Sequence, residues 1–201
     1  MKKMISFILI SILFVSVFYG VSCYGDKTQL RREVIRLHVV ANSDSEADQA
    51  QKLRVRDAVN EYLMELLEET ETAKDARQVI DGHLPELESV AKNVLSAEGT
   101  DMTVRATLME ETFDVREYDT FTLPSGVYTS LRIELGAGKG HNWWCVVFPS
   151  LCLPAAGETF NDVAAGAGFS ESLSGGITGK YQFRFFVLDL IGQAEKFFYN
   201  R

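Results

Sequence analysis

The hydrophobic pattern changes several times along the chain, and each change predicts a new element. Lys2 and Lys3 precede an apolar run from Met4 to Tyr19, broken only by Ser6, Ser11 and Ser16 and closed by Gly20-Val21-Ser22-Cys23. A basic start, an apolar core and small exit residues form the pattern of a secretory signal. The run is also long enough to span a bilayer as a helix. The small exit residues favour cleavage over a retained N-terminal anchor, and both stay open. In either topology the basic start stays inside and the remainder is exported.

The second pattern begins with alternation. Ile35, Leu37 and Val39 share one face of a strand over 34–40, with His38 on the polar face. Asn42-Ser43-Asp44-Ser45 ends the strand and supplies N-cap candidates. Three helices follow. The first runs to about Glu68, with Val55, Val59, Tyr62, Leu63, Leu66 and Leu67 at helical spacing. The second starts at Thr72, with Asp75 three residues on, and stops at Gly82. The third has Pro85 in its first turn, a stripe of Leu87, Val90, Ala91, Val94 and Leu95, and a stop at Gly99.

The period then changes from 3.6 to 2. Met102, Val104, Ala106 and Leu108 predict a half-buried strand, and Phe113 and Val115 another short one. After the turn residues Leu123-Pro124-Ser125-Gly126, alternation resumes from Val127 to Leu135. Gly136 to Gly140 predicts a turn into Trp143–Phe148, whose unbroken apolar character predicts a central, two-sided strand. Residues 155–180 are rich in glycine and serine without periodicity and read as a flexible loop. Phe186, Leu190, Ala194 and Phe197 predict a C-terminal helix docked on the sheet. The fold class is therefore α/β of the α+β type: an N-terminal strand, three helices, a small, mostly antiparallel sheet and a C-terminal helix. Residues 1–23 are the signal or anchor, and 24–201 form a single extracytoplasmic domain.

Charge narrows the function. The chain carries a net charge of −8. Residues 1–23 contribute two lysines and no acid, leaving 18 basic against 28 acidic residues, a net of −10. Such a balance disfavours nucleic acid and anionic lipid headgroups as partners. His38, His83 and His141 lack metal-ligand spacing, and neither a zinc pattern nor a cofactor-binding fingerprint is present. Asp44 and Asp48 fit favourable interaction with a helix dipole. The glycines at 136–140 miss both phosphate-loop spacings, and a strand follows them. Cys145 and Cys152 form an even pair in an exported chain, which predicts a disulfide. The alternative is a Cys–His hydrolase using Cys145 and His141, although a strand between Trp144 and Val146 offers a thiolate little support.

Two blocks carry a resemblance. Ile35-Arg36-Leu37-His38-Val39-Val40-Ala41-Asn42-Ser43-Asp44-Ser45, followed by Lys52-Leu53-Arg54-Val55-Arg56-Asp57-Ala58-Val59, resembles the opening of the stage II sporulation protein R family. Gly138 to Cys152, with Asn142-Trp143-Trp144-Cys145 at its centre, resembles the family's second block, and Pro124-Ser125-Gly126-Val127-Tyr128 with Leu131-Arg132-Ile133 resembles the strand leading into it. The resemblance implies a signalling protein of endospore formers, exported across the forespore membrane into the intermembrane space. It implies a membrane-bound aspartic protease of the mother cell as partner, activated to process the sigma-E precursor. No enzymatic activity and no small-molecule substrate are implied. Because the family assigns no contact residues, the partner-binding site is argued physically, as Lys139, His141, Asn142, Trp143 and Trp144. The glycines keep this loop adaptable, and alternation puts the two tryptophans on opposite faces of their strand.

Overall fold

The computed structural model describes residues 2–118, 121–149, 169–179 and 182–200. The chain divides into two compact units. One comprises Arg31–Glu111 and Tyr128–Gly168, the other Met1–Leu30, Thr112–Val127 and Phe169–Arg201.

The larger unit is a helix-covered sheet. Its elements are β1 (Ile35–Val40), α2 (Glu46–Leu66), α3 (Ala73–Gly82), α4 (Leu84–Ala97), β2 (Val104–Phe113), β5 (Gly126–Leu135) and β6 (Asn142–Phe148), with β2 and β5 running across the unit boundary. The sheet order is β2-β5-β1-β6. β1 runs parallel to β5, with Leu37 opposite Leu131, and antiparallel to β6, with Leu37 opposite Cys145. The sheet is therefore mixed, because the helical segment α2–α4 separates β1 from its parallel neighbour. Ser45 caps α2 and Thr72 caps α3, each accepting from a backbone N–H three residues on, and Pro85 stands in the first turn of α4. These ends match the sequence signals.

One face of the sheet carries the core. Ile35, Leu37, Val39, Leu131, Ile133, Cys145 and Val147 meet Val55, Val59 and Leu63 of α2, Ile80 of α3 and Leu87, Ala91 and Leu95 of α4. The opposite face corrects the expectation of a one-sided β1, since all six of its residues are buried. His38, expected on a polar face, is buried with an ion-pair partner. Arg36 is fully buried, its guanidinium 5.4 Å from the Tyr128 ring centroid. β6 is also corrected: among the described residues it lies at the sheet edge, and β1 takes an inner position. Its apolar run reflects burial on both faces rather than two strand neighbours.

The smaller unit holds α1 (Lys2–Glu33) up to Leu30, the paired β3 (Arg116–Glu117) and β4 (Thr122–Leu123), α5 (Glu171–Ile177) and α6 (Gln182–Tyr199). α1 contains an apolar stretch of sufficient length to cross a membrane, none of it buried. α5 occupies part of the predicted 155–180 loop, starting where Ser170 caps it, while the rest of that segment up to 168 lies outside the described residues. α6 confirms a C-terminal helix but reverses its faces. Phe186, Leu190 and Phe197 point outward, and Arg184, Leu188 and Gly192 are buried. A Cβ on Gly192 would run into the Ser125 carbonyl, so the helix can approach that turn only through glycine.

This reversal predicts a contrast between neighbouring leucines. Leu188→Ala should cost about 2–5 kcal/mol in thermal or urea unfolding, whereas Leu190→Ala should stay within about 0.5 kcal/mol of wild type. Equal losses at the two positions would contradict the observed docking face.

Candidate functional site

The two motif blocks meet at one end of the larger unit, where the β1–α2 junction grips the β5–β6 turn. The chain leaves β1 at Ala41, which is buried. Asn42 is the hub. Its Nδ2 donates to Asp48 Oδ2 at 2.9 Å, and its Oδ1 accepts from the Ala137 backbone N–H at 2.9 Å. Ser43 Oγ donates to the same Asp48 oxygen at 2.5 Å. The Ser43 and Asn42 bonds hold the Asp48 carboxyl below its ordinary range. Backbone bonds complete the join, from Gly140 N to Ala41 O at 2.9 Å and from Lys139 N to Asn42 O at 3.2 Å.

Two glycines make the fit possible. Gly136 has φ of +58°, and a Cβ there would strike the Asn42 side chain. On Gly140 a Cβ would strike the Ser43 carbonyl. Side chains are excluded at both positions by close approach, and at Gly136 by conformation as well.

The outer edge of this turn is held from below. Asp44 Oδ1 accepts from the His141 backbone N–H at 2.6 Å and lies 2.5 Å from His141 Nδ1. His141, through its side-chain and then its backbone bond, pulls the Asp44 carboxyl below its ordinary value. Lys52, almost completely buried on α2, donates to the His141 carbonyl at 3.0 Å and to Gln49 Oε1 at 2.6 Å. Burial lowers the Lys52 ammonium pKa, and the nearby Asp44 charge opposes that shift.

The predicted contact residues come together here. Lys139, His141, Asn142 and Trp143 are exposed and consecutive or nearly so, and Trp144 is half-buried. The tryptophans do lie on opposite faces. Trp143 sits opposite Val39, with the Arg56 guanidinium of α2 4.3 Å from its ring centroid. Trp144 stacks on His38 at 3.7 Å. Neither ring is a plain core plug. Asn42, Ser43, Lys52 and Arg56 escaped sequence reasoning as site residues, and Asp44 and Asp48 do more than favour a helix dipole. The available signal was the density of short polar side chains directly after a buried strand.

Behind Trp144 the polar network continues. His38 Nδ1 lies 3.1 Å from Glu111 Oε2, Arg132 donates to Glu111 at 2.8 Å, and Arg132 reaches Glu134 at 2.7 Å. Burial alone would raise the Glu111 pKa, but the bonds from His38 and Arg132 outweigh it and bring it to about 2.

His141 and Cys145 do not meet. Cys145 belongs to the core cluster on the inner face of β6, while His141 is exposed at the turn, four residues or about 13 Å away along extended chain. The thiol–imidazole reading thus lacks its geometry. The predicted Cys145–Cys152 pairing involves residue 152, which lies outside the described residues. Among the described residues no group of three or more His, Cys, Asp or Glu side chains could hold a metal ion.

Comparison with known proteins assigns this arrangement. The family model described as Stage II sporulation protein R matches residues 31–158, which include both halves of the join. The chain belongs to the stage II sporulation protein R family. The Stage II sporulation protein R of Bacillus subtilis (strain 168) is 38% identical over 120 residues, covering 60% of this chain and 54% of that protein. The chain thus matches about half the length of that curated relative. No solved structure matches. Family membership supports a role in sporulation.

Glu111 gives this network a pH signature. Its carboxyl is depressed from an ordinary 4.5 to about 2 in the folded state. The stabilisation is therefore complete above about pH 4.5 and is lost as pH falls through about 2. Urea unfolding of wild type and Glu111→Gln should differ by on the order of 3 kcal/mol at neutral pH, converging toward pH 2. A gap independent of pH would contradict the ionic role.

Proposed function

We propose that this chain is an exported sporulation signal that activates a membrane-bound aspartic protease of the mother cell, which then processes the sigma-E precursor. The observation that carries the reading is the family match across residues 31–158, the same residues that build the clasped turn. The N-terminal apolar helix is compatible with export as a signal or an anchor. In this reading the chain crosses the forespore membrane and works in the intermembrane space as a protein ligand rather than as an enzyme.

The contact edge in this reading is Lys139 to Trp144. Asp44, Lys52 and the glycine contacts hold its backbone, so little chain entropy is lost when a partner binds. His141 and Asn142 present polar groups, and Trp143 presents an aromatic face steadied by Arg56. Tryptophan at the centre of such a patch suits an energetic anchor. A disulfide between Cys145 and Cys152, if closed, would brace the strand behind that edge and add about 2–3 kcal/mol on chain-entropy grounds.

Co-expression of the chain, the protease and the sigma precursor tests the assignment. His141→Ala and Asn142→Ala should be exported and melt within a few degrees of wild type, yet reduce precursor cleavage. Trp143→Ala should reduce it most, by a factor consistent with about 2 kcal/mol or more of binding. Replacing Cys145 and Cys152 together should lower thermal stability while leaving signalling at permissive temperature. Full cleavage at wild-type dose by all three loop variants would remove the edge as the contact. No cleavage with the wild-type chain, protease and precursor all present would remove the reading itself.

A further inference from the structure

The C-terminal helix α6 has its charges turned inward. Arg184 is buried and donates to Asp26 at 2.6 Å and to Ser22 at 3.0 Å. Asp189 accepts from the Ser125 backbone N–H at 2.9 Å and from Ser125 Oγ at 2.6 Å, and Lys196 pairs with Asp114. The outward stripe is Phe183, Phe186, Leu190, Ala194 and Phe197, spaced as one side of a helix, with no charged residue among them. Phe186 is 61% exposed and Leu190 56%. A continuous apolar face of this kind on a folded unit marks a surface that water does not cover in use.

What covers it is indicated by α1. The large apolar residues from Met4 to Phe18 are all more than half exposed, as a bilayer-crossing segment requires. Where that stretch ends, the Tyr19 ring lies 5.6 Å from the ring of Phe183, the first residue of the α6 stripe. The stripe therefore starts at the level where α1 would leave the hydrocarbon, the depth at which aromatic side chains collect. The last turn before residue 24 is also part of the folded unit. Ser22 bonds to Arg184, Cys23 is wholly buried, and Tyr19 receives the Arg184 guanidinium 5.7 Å from its centroid. Cleavage near residue 23 would strip Tyr19 and Ser22 from these partners.

We propose that this unit is seated on a lipid bilayer, with α1 retained as the anchor and the outer face of α6 lying in the interface of the membrane that α1 enters. The net charge of −8 gives no attraction to anionic lipid. Seating is apolar, works on zwitterionic lipid and resists salt.

The test uses the full chain, purified from membranes of an exporting bacterial host and reconstituted in phosphatidylcholine vesicles. A photoreactive benzoylphenylalanine replaces Phe186 or Phe197 in turn, or the exposed Lys74 of α3 as the comparison site. After illumination, intact and peptide mass spectra should show residues 1–23 still attached and lipid adducts at 186 and 197. Adducts should be absent at 74, and their yield should be unchanged when salt rises from about 0.05 to about 0.5 M, which shortens the Debye length about threefold. Protein–protein adducts joining two copies through α6, no lipid adduct above that at 74, or a chain beginning near Tyr24 would each overturn the proposal.

Discussion

Asn42 must satisfy two partners at once, and the functional end of the larger unit depends on its doing so. Its amide nitrogen ties the junction to Asp48 at the start of α2, and its oxygen ties the Gly136–Gly140 turn through Ala137 N–H. A half-buried amide in that position is costly if either bond is missing. Both bonds form only because β1 and α2 bring residues 42 and 48 together and glycines let the turn come within reach. Strand, helix cap and turn thereby become one structure. The exposed His141–Trp143 edge inherits its shape from groups that are themselves capped or buried.

β1 joins this clasp to the core. Its odd-numbered residues pack under three helices, and its even-numbered residues build a buried polar layer with His38 against Glu111 and Trp144. Charges placed in such a layer must be paired, because desolvation is otherwise uncompensated. The Glu111 carboxylate, held by His38 and Arg132, meets that demand. Trp144 is thus positioned from behind by an ionic cluster and Trp143 from the side by Arg56. One strand carries two aromatic rings with opposite kinds of support.

Most elements were legible because their signals are local. Thr72 and Ser45 cap helices as their side chains suggest, Pro85 sits in a first turn, and the alternation at 127–135 is a strand. Local patterns mislead where a residue's environment is set by distant chain. His38 reads as solvent-facing because histidine is polar, yet Glu111 and Trp144 enclose it. The apolar run at 143–148 suggested a central strand, but burial on both faces does not require two strand neighbours. The α6 stripe has the spacing of a docking face, and periodicity cannot say which face turns inward. That choice is made by Arg184, Asp189 and Lys196, whose partners lie dozens of residues earlier. Likewise the contact loop was visible in the sequence, while its clamp by Asp44 and Lys52 was not, since 97 and 89 positions separate those residues from His141.

The β1–α2 junction fixes the 136–141 backbone through four amide hydrogen bonds. Amide hydrogen exchange reads that directly. In the wild-type chain the Ala137, Lys139, Gly140 and His141 amides should be protected, as each donates to a named acceptor in the junction. Asn42→Ala should release Ala137, Lys139 and Gly140 toward unprotected rates while leaving the Leu37 and Leu131 amides of the core strands slow. Unprotected loop amides in wild type, or unchanged protection in Asn42→Ala, would contradict it.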